Sequence, residues 1–308
     1  MRGRARAFGP ATVANLAAGF DVLGLAVEGL GDEVEAVRVP EGGVRIAAIT
    51  GDGGKLPLDA PSNTAGVAAA EVLRAAGAGF GVELSIHKGL PLGSGLGSSA
   101  ASAVAAAVAT QALLDEPLPV DVLVAACVEA EAVVSGRHAD NVAPALLGGL
   151  VLVRSVEPLD LVRLPIPDGL QVVVVTPEMS LPTREARAVL PSTVPLPTLV
   201  AATANLGALV AACHQGDWGL LGRSLVDPVA GPAREPLIPG SSSAIAAARG
   251  AGALGAGISG AGPTLFALCG TGSSRAVADA MVDAFASAGL IAKASVAPAL
   301  GRGARVLA

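Results

Sequence analysis

Apolar and polar positions change their spacing several times along the chain, which divides it into short strands and longer helices. Strands are predicted near residues 9–14, 22–29, 33–39, 44–49, 81–87 and 149–153. Helices are predicted at 62–76, within the segment 88–114, and at 119–135. The first half of the chain is therefore expected to begin as a β-rich layer to which helices are added.

The second half has a different pattern, in which helices outnumber strands. Strands are predicted at 170–176 and 291–296, with two more around a glycine-rich turn. Helices are predicted at 183–190, 196–214, 217–225, 241–250 and 273–288. Helices and strands that mix without a regular βαβ repeat indicate an α+β fold with two layers in each domain.

A length of 308 residues favours two domains over one. The segment 154–169 is polar and rich in proline, as linkers between domains are. We therefore expect an N-terminal domain at 1–155 and a C-terminal domain at 156–308.

The segment 89–109 is free of charge and rich in glycine and serine. Its loop contains Pro91 and four glycines, which would expose backbone polar groups to lipid. The helix-forming part that follows has 17 residues, at ~1.5 Å each too short for the ~30 Å of a bilayer core. We do not expect a membrane span here.

The same helix is apolar on all sides, so it is expected to be buried. Two interpretations of its N-terminus remain open: Ser98 and Ser99 cap the first turn, or the glycine loop and the helix dipole bind a phosphate. The loop is not a Walker A sequence. A second cluster, Gly255, Gly257 and Gly260, precedes strand-like sequence, so it does not predict a dinucleotide site.

Charge and cysteine content exclude further classes. The net charge is −6 without basic clusters, which argues against a nucleic-acid partner. The three cysteines lie far apart, as in a protein of a reducing compartment. No apolar segment of a secretory signal precedes Pro10, so a cytoplasmic location is expected.

Three segments together carry a family resemblance. They are "GPATVANLAAGFDVLGLAV" at 9–27, "PLGSGLGSSAAS" at 91–102 and "LGAGISGAGPTLFAL" at 254–268. In this order they resemble the superfamily of galactokinase, homoserine kinase, mevalonate kinase and phosphomevalonate kinase. The resemblance implies an N-terminal domain like ribosomal protein S5, a ferredoxin-like C-terminal domain, and ATP bound between them with a small substrate.

Three other segments resemble those of homoserine kinases within this superfamily: "SGRHADNVAPALLGGLVLV" at 135–153, "LPTREARAVLP" at 181–191 and "DPVAGPAREPLIPG" at 227–240. This resemblance implies phosphorylation of L-homoserine in threonine biosynthesis, and a homodimer. The alternatives are a kinase for another small alcohol, such as mevalonate or shikimate, and a non-catalytic ligand sensor.

The resemblance also assigns the ATP site. The phosphate loop comprises Pro91, Leu92, Gly93, Ser94, Gly95, Leu96, Gly97, Ser98, Ser99, Ala100 and Ala101, with Asn63 and Lys88 nearer the adenine. Mg²⁺ is assigned to Ser98 and to a carboxylate on the helix 119–135. By spacing alone Glu129 or Glu131 could serve, and the distance from Ser135 and Gly136 favours Glu131.

The acceptor pocket follows from the charges of an amino acid. Arginine forks bind carboxylates in pairs, and the resemblance assigns this role to Arg187 and Arg234. Asp21 and Asn15 would bind the ammonium group. The other assigned pocket residues are Thr183, His138, Asp140, Asn141 and Gly260. Backbone N–H groups of the turn around Gly260 are expected to face the site.

The catalytic assignments are Glu131, Asp140 and Asn141. Asn141 is expected to orient the acceptor hydroxyl, and Asp140 to position it first and to act as a base second. His87 and His214 are interpreted as structural, since the three histidines have no metal-ligand spacing.

Overall fold

The computed structural model describes residues 3–299 and 301–308. Seven strands form the first sheet: β1 (Arg4–Ala14), β2 (Leu23–Val39), β3 (Val44–Thr50), β4 (Gly81–His87), β5 (Leu150–Val156), β6 (Leu159–Leu164) and β11 (Arg305–Val306). The strand order is β11-β1-β2-β4-β3, and β5 pairs with both β2 and β6. All pairs are antiparallel except β3 with β4.

Strand β2 is continuous where the sequence predicted two strands. Its register against β1 shifts between Pro10 and Ala11, because Pro10 pairs with Gly31 and Ala11 with Val27. Residues 28–30 therefore form a bulge, and Gly29 in it has a φ of 82°. Glycine adopts this backbone conformation without strain, so the bulge keeps the strand in one piece.

Helices cover one face of this sheet: α1 (Thr64–Ala76), α2 (Ser98–Gln111), α3 (Val120–Ala132) and α4 (Val142–Leu147), with a short 3₁₀ turn at Ala60–Ser62 before them. Helix α2 is buried along most of its length, as its apolar sequence predicted. Alanine and glycine permit this close packing. A Cβ on Gly9 of β1 would lie 2.1 Å from the carbonyl oxygen of Ala101.

The second sheet contains β7 (Leu170–Pro177), β8 (Gly255–Ile258), β9 (Leu265–Gly270) and β10 (Ala292–Pro298) in the order β10-β7-β9-β8. Its helices are α5 (Thr183–Ala188), α6 (Leu196–Gln215), α7 (Trp218–Ser224), α8 (Ala230–Arg234), α9 (Ser241–Gly250) and α10 (Ser274–Ser287), with a 3₁₀ turn at Glu235–Leu237. The antiparallel order 4-1-3-2 is that of a ferredoxin-like sheet, and the predicted α+β class is confirmed.

The two sheets share one apolar core. Leu23 and Leu25 of β2 belong to the same buried cluster as Val172 of β7 and Phe266 of β9. Because β6 and β11 pair within the first sheet, that sheet takes strands from beyond residue 155. The domain division at 155 stays a prediction.

Helix α6 has an exposed N-terminal half. Leu196, Leu199 and Val200 are 71%, 52% and 60% exposed, whereas Leu209 and Cys213 lie in the shared core. Among the described residues this is the one helix with the length and apolarity of a membrane span. Helices of soluble proteins meet the same two criteria, so this observation is weak evidence for a membrane.

Candidate active site

The phosphate loop owes its shape to alternating glycines. Gly93, Gly95 and Gly97 have φ values of 64°, 80° and 65°, and Ser98 begins α2 directly after them. Gly97 is the N-cap residue, and no side chain of the described chain caps the first turn. The capping interpretation is therefore wrong for Ser98 and Ser99, and the helix N-terminus keeps the partial positive charge that favours an anion.

The loop is held in place through its carbonyl oxygens. The hydroxyl of Ser259 donates to Gly95 O at 2.7 Å, and Thr264 N donates to Ser94 O at 3.0 Å. Thr12 N donates to Leu96 O, also at 3.0 Å. The C=O and N–H of one trans peptide point in opposite directions. The N–H groups that follow these bonded carbonyls therefore point away from Ser259, Thr264 and Thr12.

A cavity of about 400 Å³ lies beside the loop, and its wall also includes Glu131 of α3, Arg187 of α5 and the turn at Gly260. Most predicted site residues line it: Asn15, Asp21, Asn63, Lys88, Leu92, Gly93, Ser94, Gly95, Gly97, Ser98, Ser99, Glu131, His138, Asp140, Asn141, Thr183, Arg187, Arg234 and Gly260. Four do not line it. Leu96, Ala100 and Ala101 are buried in the fold, and Pro91 is exposed outside the lining.

Glu131 differs sharply from Glu129. Oε2 of Glu131 accepts hydrogen bonds from Ser99 Oγ at 3.0 Å and Ser135 Oγ at 2.9 Å. Its Oε1 and the Ser98 hydroxyl are buried with no hydrogen-bond partner among the described residues. Burial raises the pKa of Glu131, which the two serines and Lys88 oppose. Glu129 instead pairs with Arg137 at the surface.

Lys88 forms a buried ion pair that the sequence did not predict. Its Nζ contacts the carboxylate of Asp32, Ser102 Oγ at 2.7 Å and Ser98 O at 2.8 Å. Asp32 also accepts from Gly89 N at 3.0 Å. The pair ties the start of the loop to the start of α2. Burial lowers the pKa of Lys88, an effect that the Asp32 charge opposes.

The Asn63 carboxamide is occupied by backbone partners. Its Oδ1 accepts from Ala65 N at 3.0 Å, which caps α1, and its Nδ2 donates to Pro57 O at 3.0 Å. The residue still lines the cavity with one edge. These two hydrogen bonds fix the backbone of this part of the cavity wall.

At the other end of the cavity, Asp21 and Arg187 form a bidentate ion pair. The two Arg187 Nη atoms lie 3.0 and 3.1 Å from the Asp21 carboxylate oxygens. Nδ1 of His138 lies 3.7 Å from the same carboxylate. Burial lowers the pKa of His138, and Arg187 adds to this effect while Asp21 opposes it. The lowered pKa favours the neutral form of the imidazole.

The loop that carries Asp21 has an unusual backbone. Asn15, Leu16, Ala17 and Asp21 have φ values of 72°, 44°, 58° and 58°. Each costs on the order of 1–3 kcal/mol outside glycine, and such strain concentrates at functional sites. The Asn15 carboxamide supports the loop: its Oδ1 accepts from Asp21 N at 3.0 Å and its Nδ2 donates to Gly260 O at 2.9 Å.

Arg234 is only 3% exposed and is held by two carbonyl groups. Its Nε donates to Ala186 O at 3.0 Å and its Nη1 to Gly260 O at 2.8 Å. The N–H of Gly260 is bonded to Ala14 O and that of Gly262 to Ser259 O. These two N–H groups are therefore bonded within the protein, while Ala261 between them lines the cavity, and the Gly260 carbonyl orients Asn15 and Arg234.

Asp140 and Asn141 stand next to each other before α4. Asp140 is 4% exposed. Burial and the nearby Asp21 charge raise its pKa to about 7, although Arg187 lowers it. Asn141 Oδ1 accepts a hydrogen bond of 2.6 Å from the Thr12 hydroxyl. Asp140 is thus poised to gain or lose its charge near neutral pH.

Comparison with known proteins identifies the family. Residues 63–149 match the family described as GHMP kinases N terminal domain, and residues 209–289 match GHMP kinases C terminal. A homoserine kinase of Xanthomonas campestris pv. campestris (strain B100) is 47% identical over 306 residues, which are 99% of this chain and 94% of that protein. The chain belongs to the homoserine kinase family.

Two further homoserine kinases support this assignment. The Arabidopsis thaliana protein is 47% identical over 288 residues, 91% of this chain and 78% of its own. The crystal structure of the Cytophaga hutchinsonii protein has a TM-score of 0.96 at 43% identity, and the match covers 100% of this chain and 98% of that one. The resemblance inferred from the sequence motifs is confirmed.

In this member of the homoserine kinase family, sequence analysis missed several residues that support the site: Thr12, Asp32, Ser102 and Ser135. Ser102 follows Ser98 at helical spacing, which was a usable signal. Asp32 is 56 residues from Lys88, and Thr12 is 129 residues from Asn141. Only the folded chain brings these pairs together.

Proposed function

We propose that this chain transfers the γ-phosphoryl group of ATP to the side-chain hydroxyl of L-homoserine and releases O-phospho-L-homoserine. The observation that carries this proposal is a single cavity with an anion-binding loop at one end and the Asp21–Arg187 pair at the other. The first end suits a nucleotide phosphate, and the second offers one negative and one positive group to a zwitterion.

The phosphate end supplies positioning and charge. The N-terminus of α2 and the loop amides would hold the ATP phosphates, which is the main catalytic requirement of phosphoryl transfer. A Mg²⁺ ion fits beside them, because Ser98 Oγ and Glu131 Oε1 are buried oxygens without a partner in the described part of the chain. When bound, the ion would neutralise phosphate charge. Lys88 stabilises the end of the loop by donating a hydrogen bond to Ser98 O.

The amino-acid end would bind homoserine by an exchange of partners. Asp21 and Arg187 pair with each other in the free protein, with side chains that are 26% and 31% exposed. The ammonium group of the substrate would pair with Asp21 and its carboxylate with Arg187. Arg234 adds positive charge to this part of the cavity wall. Its guanidinium lies 5.3 Å from the Phe20 ring centre.

The acceptor hydroxyl would lie near Asp140 and Asn141. Asn141 orients the hydroxyl by a hydrogen bond. Asp140 positions it and, above pH about 7 where the free carboxyl is ionised, is able to accept its proton. The phosphorylated product is a substrate for threonine biosynthesis.

A panel of acceptors tests the proposal. ADP release with Mg-ATP is measured for L-homoserine, mevalonate, shikimate and L-threonine. We expect turnover with homoserine alone. Turnover with mevalonate or shikimate would keep the phosphate loop and contradict the amino-acid pocket. A folded protein that binds ATP and homoserine without turnover would be a ligand sensor instead.

We also propose a cytoplasmic homodimer that does not enter membranes. The support is the exposed apolar half of α6, formed by Leu196, Leu199 and Val200, whose other half is anchored in the shared core. Burial of such a patch between two copies would remove it from water. Sedimentation velocity of the purified protein, with and without detergent, tests the mass and the need for a membrane mimic.

A further inference from the structure

We propose that Thr12 is a positioning residue for phosphoryl transfer, which acts by fixing the orientation of the Asn141 carboxamide. Thr12 lies on β1, is 0% exposed and stands behind the cavity lining, whereas Asn141 is part of that lining. The Thr12 hydroxyl donates to Asn141 Oδ1 at 2.6 Å. This inference rests on the proposed kinase function and deepens it.

In the observed arrangement, the hydrogen bond pairs the oxygen end of the Asn141 amide with the Thr12 hydroxyl. A carboxamide has one accepting oxygen and one donating nitrogen, and a rotation of 180° exchanges them. Because the Thr12 hydroxyl donates to the oxygen, the Nδ2 group of Asn141 is the end left to contact a substrate. An N–H donor bonded to the acceptor hydroxyl leaves that oxygen with a free lone pair for attack on phosphorus.

The same threonine also fixes the phosphate loop. Its backbone N–H donates to Leu96 O at 3.0 Å. The loop reaches the threonine–asparagine pair directly: a Cβ on Gly97 would lie 2.1 Å from Thr12 Oγ1 and 2.7 Å from Asn141 Oδ1. Thr12 therefore holds both the loop and the Asn141 amide.

As a consequence, the acceptor hydroxyl and the γ-phosphate of ATP would be held in a fixed position relative to each other. In-line transfer requires the hydroxyl oxygen and the γ-phosphorus in contact and aligned, and small displacements cost large factors in rate. Loss of the Thr12 hydroxyl would leave the Asn141 amide free to flip. The backbone bond to Leu96 would remain, so the binding of ATP would be kept.

The test compares Thr12→Val with Thr12→Ser and with a matched control, Thr110→Val. Thr110 is also 0% exposed, lies on α2 away from the cavity, and its hydroxyl has no hydrogen-bond partner among the described residues. We expect Thr12→Val to lower kcat by about 10- to 100-fold, with both KM values within about twofold of wild type. Thr12→Ser should restore kcat, and Thr110→Val should leave it unchanged.

A double-mutant cycle with Asn141→Ala separates this role from general destabilisation. If Thr12 acts through Asn141, Thr12→Val adds no further loss of kcat in the Asn141→Ala background. An undiminished second loss would overturn the proposal, as would an unchanged kcat in Thr12→Val, a lack of rescue by Ser, or a KM for ATP that rises as much as kcat falls. Should the Val variant not fold, Thr12→Ala takes its place with the same expectations.

If the proposed kinase function is wrong, the acceptor panel shows this before the Thr12 variants are assayed. The wild-type enzyme is assayed first with the acceptor panel, and absent turnover there contradicts the proposed function before any variant is made. The variants are then assayed with the acceptor that wild type turns over. A loss confined to kcat with that acceptor supports Thr12 whatever the acceptor is.

Discussion

The two ends of the cavity are built in different ways. The phosphate end is one continuous segment, 93–99, that relies on backbone groups and glycine conformations. The amino-acid end gathers Asp21, His138 and Arg187 from separate segments, and their side chains already pair with each other in the free protein. A backbone site of this kind suits any nucleotide phosphate, whereas a side-chain site carries the selectivity for one acceptor.

This difference predicts that substitutions at the two ends will affect different kinetic constants. Changes at the phosphate end should act on kcat, because the loop and its acidic partner hold the transferred group. Changes at the amino-acid end should act on the KM for the acceptor. A variant at one end that changes both kcat and the KM for the acceptor would show that the two ends do not act independently.

The largest effect is expected for Glu131→Gln. The substitution keeps the shape of the side chain but replaces a carboxylate whose Oε1 is buried with no partner among the described residues. We expect kcat to fall by about 10²- to 10³-fold and the Mg²⁺ concentration for half-maximal rate to rise. The matched control is Glu129→Gln, whose carboxylate pairs with Arg137 at the surface. Equal losses in both variants would contradict the metal assignment.

A smaller effect is expected for Arg187→Ala. It removes one partner of the Asp21 pair, and we expect the KM for homoserine to rise about 10- to 100-fold while that for ATP changes less than about twofold. Steady-state kinetics with each substrate varied in turn provide the measurement. Arg249→Ala on α9, outside the cavity lining, serves as the control. Normal homoserine affinity in Arg187→Ala would exclude the carboxylate clamp.

The smallest effect is a pH dependence centred on Asp140. Its pKa of about 7 lies above the ordinary 3.8, so the folded protein favours the protonated form and its free energy of unfolding decreases as pH rises between these values. If the ionised form serves catalysis, kcat/KM for homoserine should rise up to about tenfold per pH unit below pH about 7 and level off above it.

Asp140→Asn provides the comparison for that profile. The step near pH 7 should disappear in this variant. The rate that remains separates the two roles: retention of a substantial part of kcat supports positioning, and a loss of about 10³-fold or more supports a base. A wild-type profile that stays flat from pH 5 to 9, or a step that persists in the variant, would show that another group titrates.

Much of this protein could be anticipated from its sequence because the signals are local. Apolar spacing located most helices and strands, although the short helices Val142–Leu147 and Ala230–Arg234 were missed, and the glycine and serine run at 91–102 predicted the loop that precedes α2. The short strands Leu159–Leu164 and Arg305–Val306 were missed, since each is defined by its partner and not by its own pattern. The bulge in β2 was missed for the same reason.

The sequence by itself determined the fold class, the family and the position of the glycine loop before α2, because periodicity and glycine spacing act over a few neighbouring residues. Only the tertiary structure decided which polar side chains meet. It placed Glu131 in the cavity lining and Glu129 at the surface, paired Asp32 with Lys88, and joined Thr12 to Asn141. These choices depend on burial and on contacts between distant segments, where an unpaired polar group is costly and each partner is fixed by the packing around it.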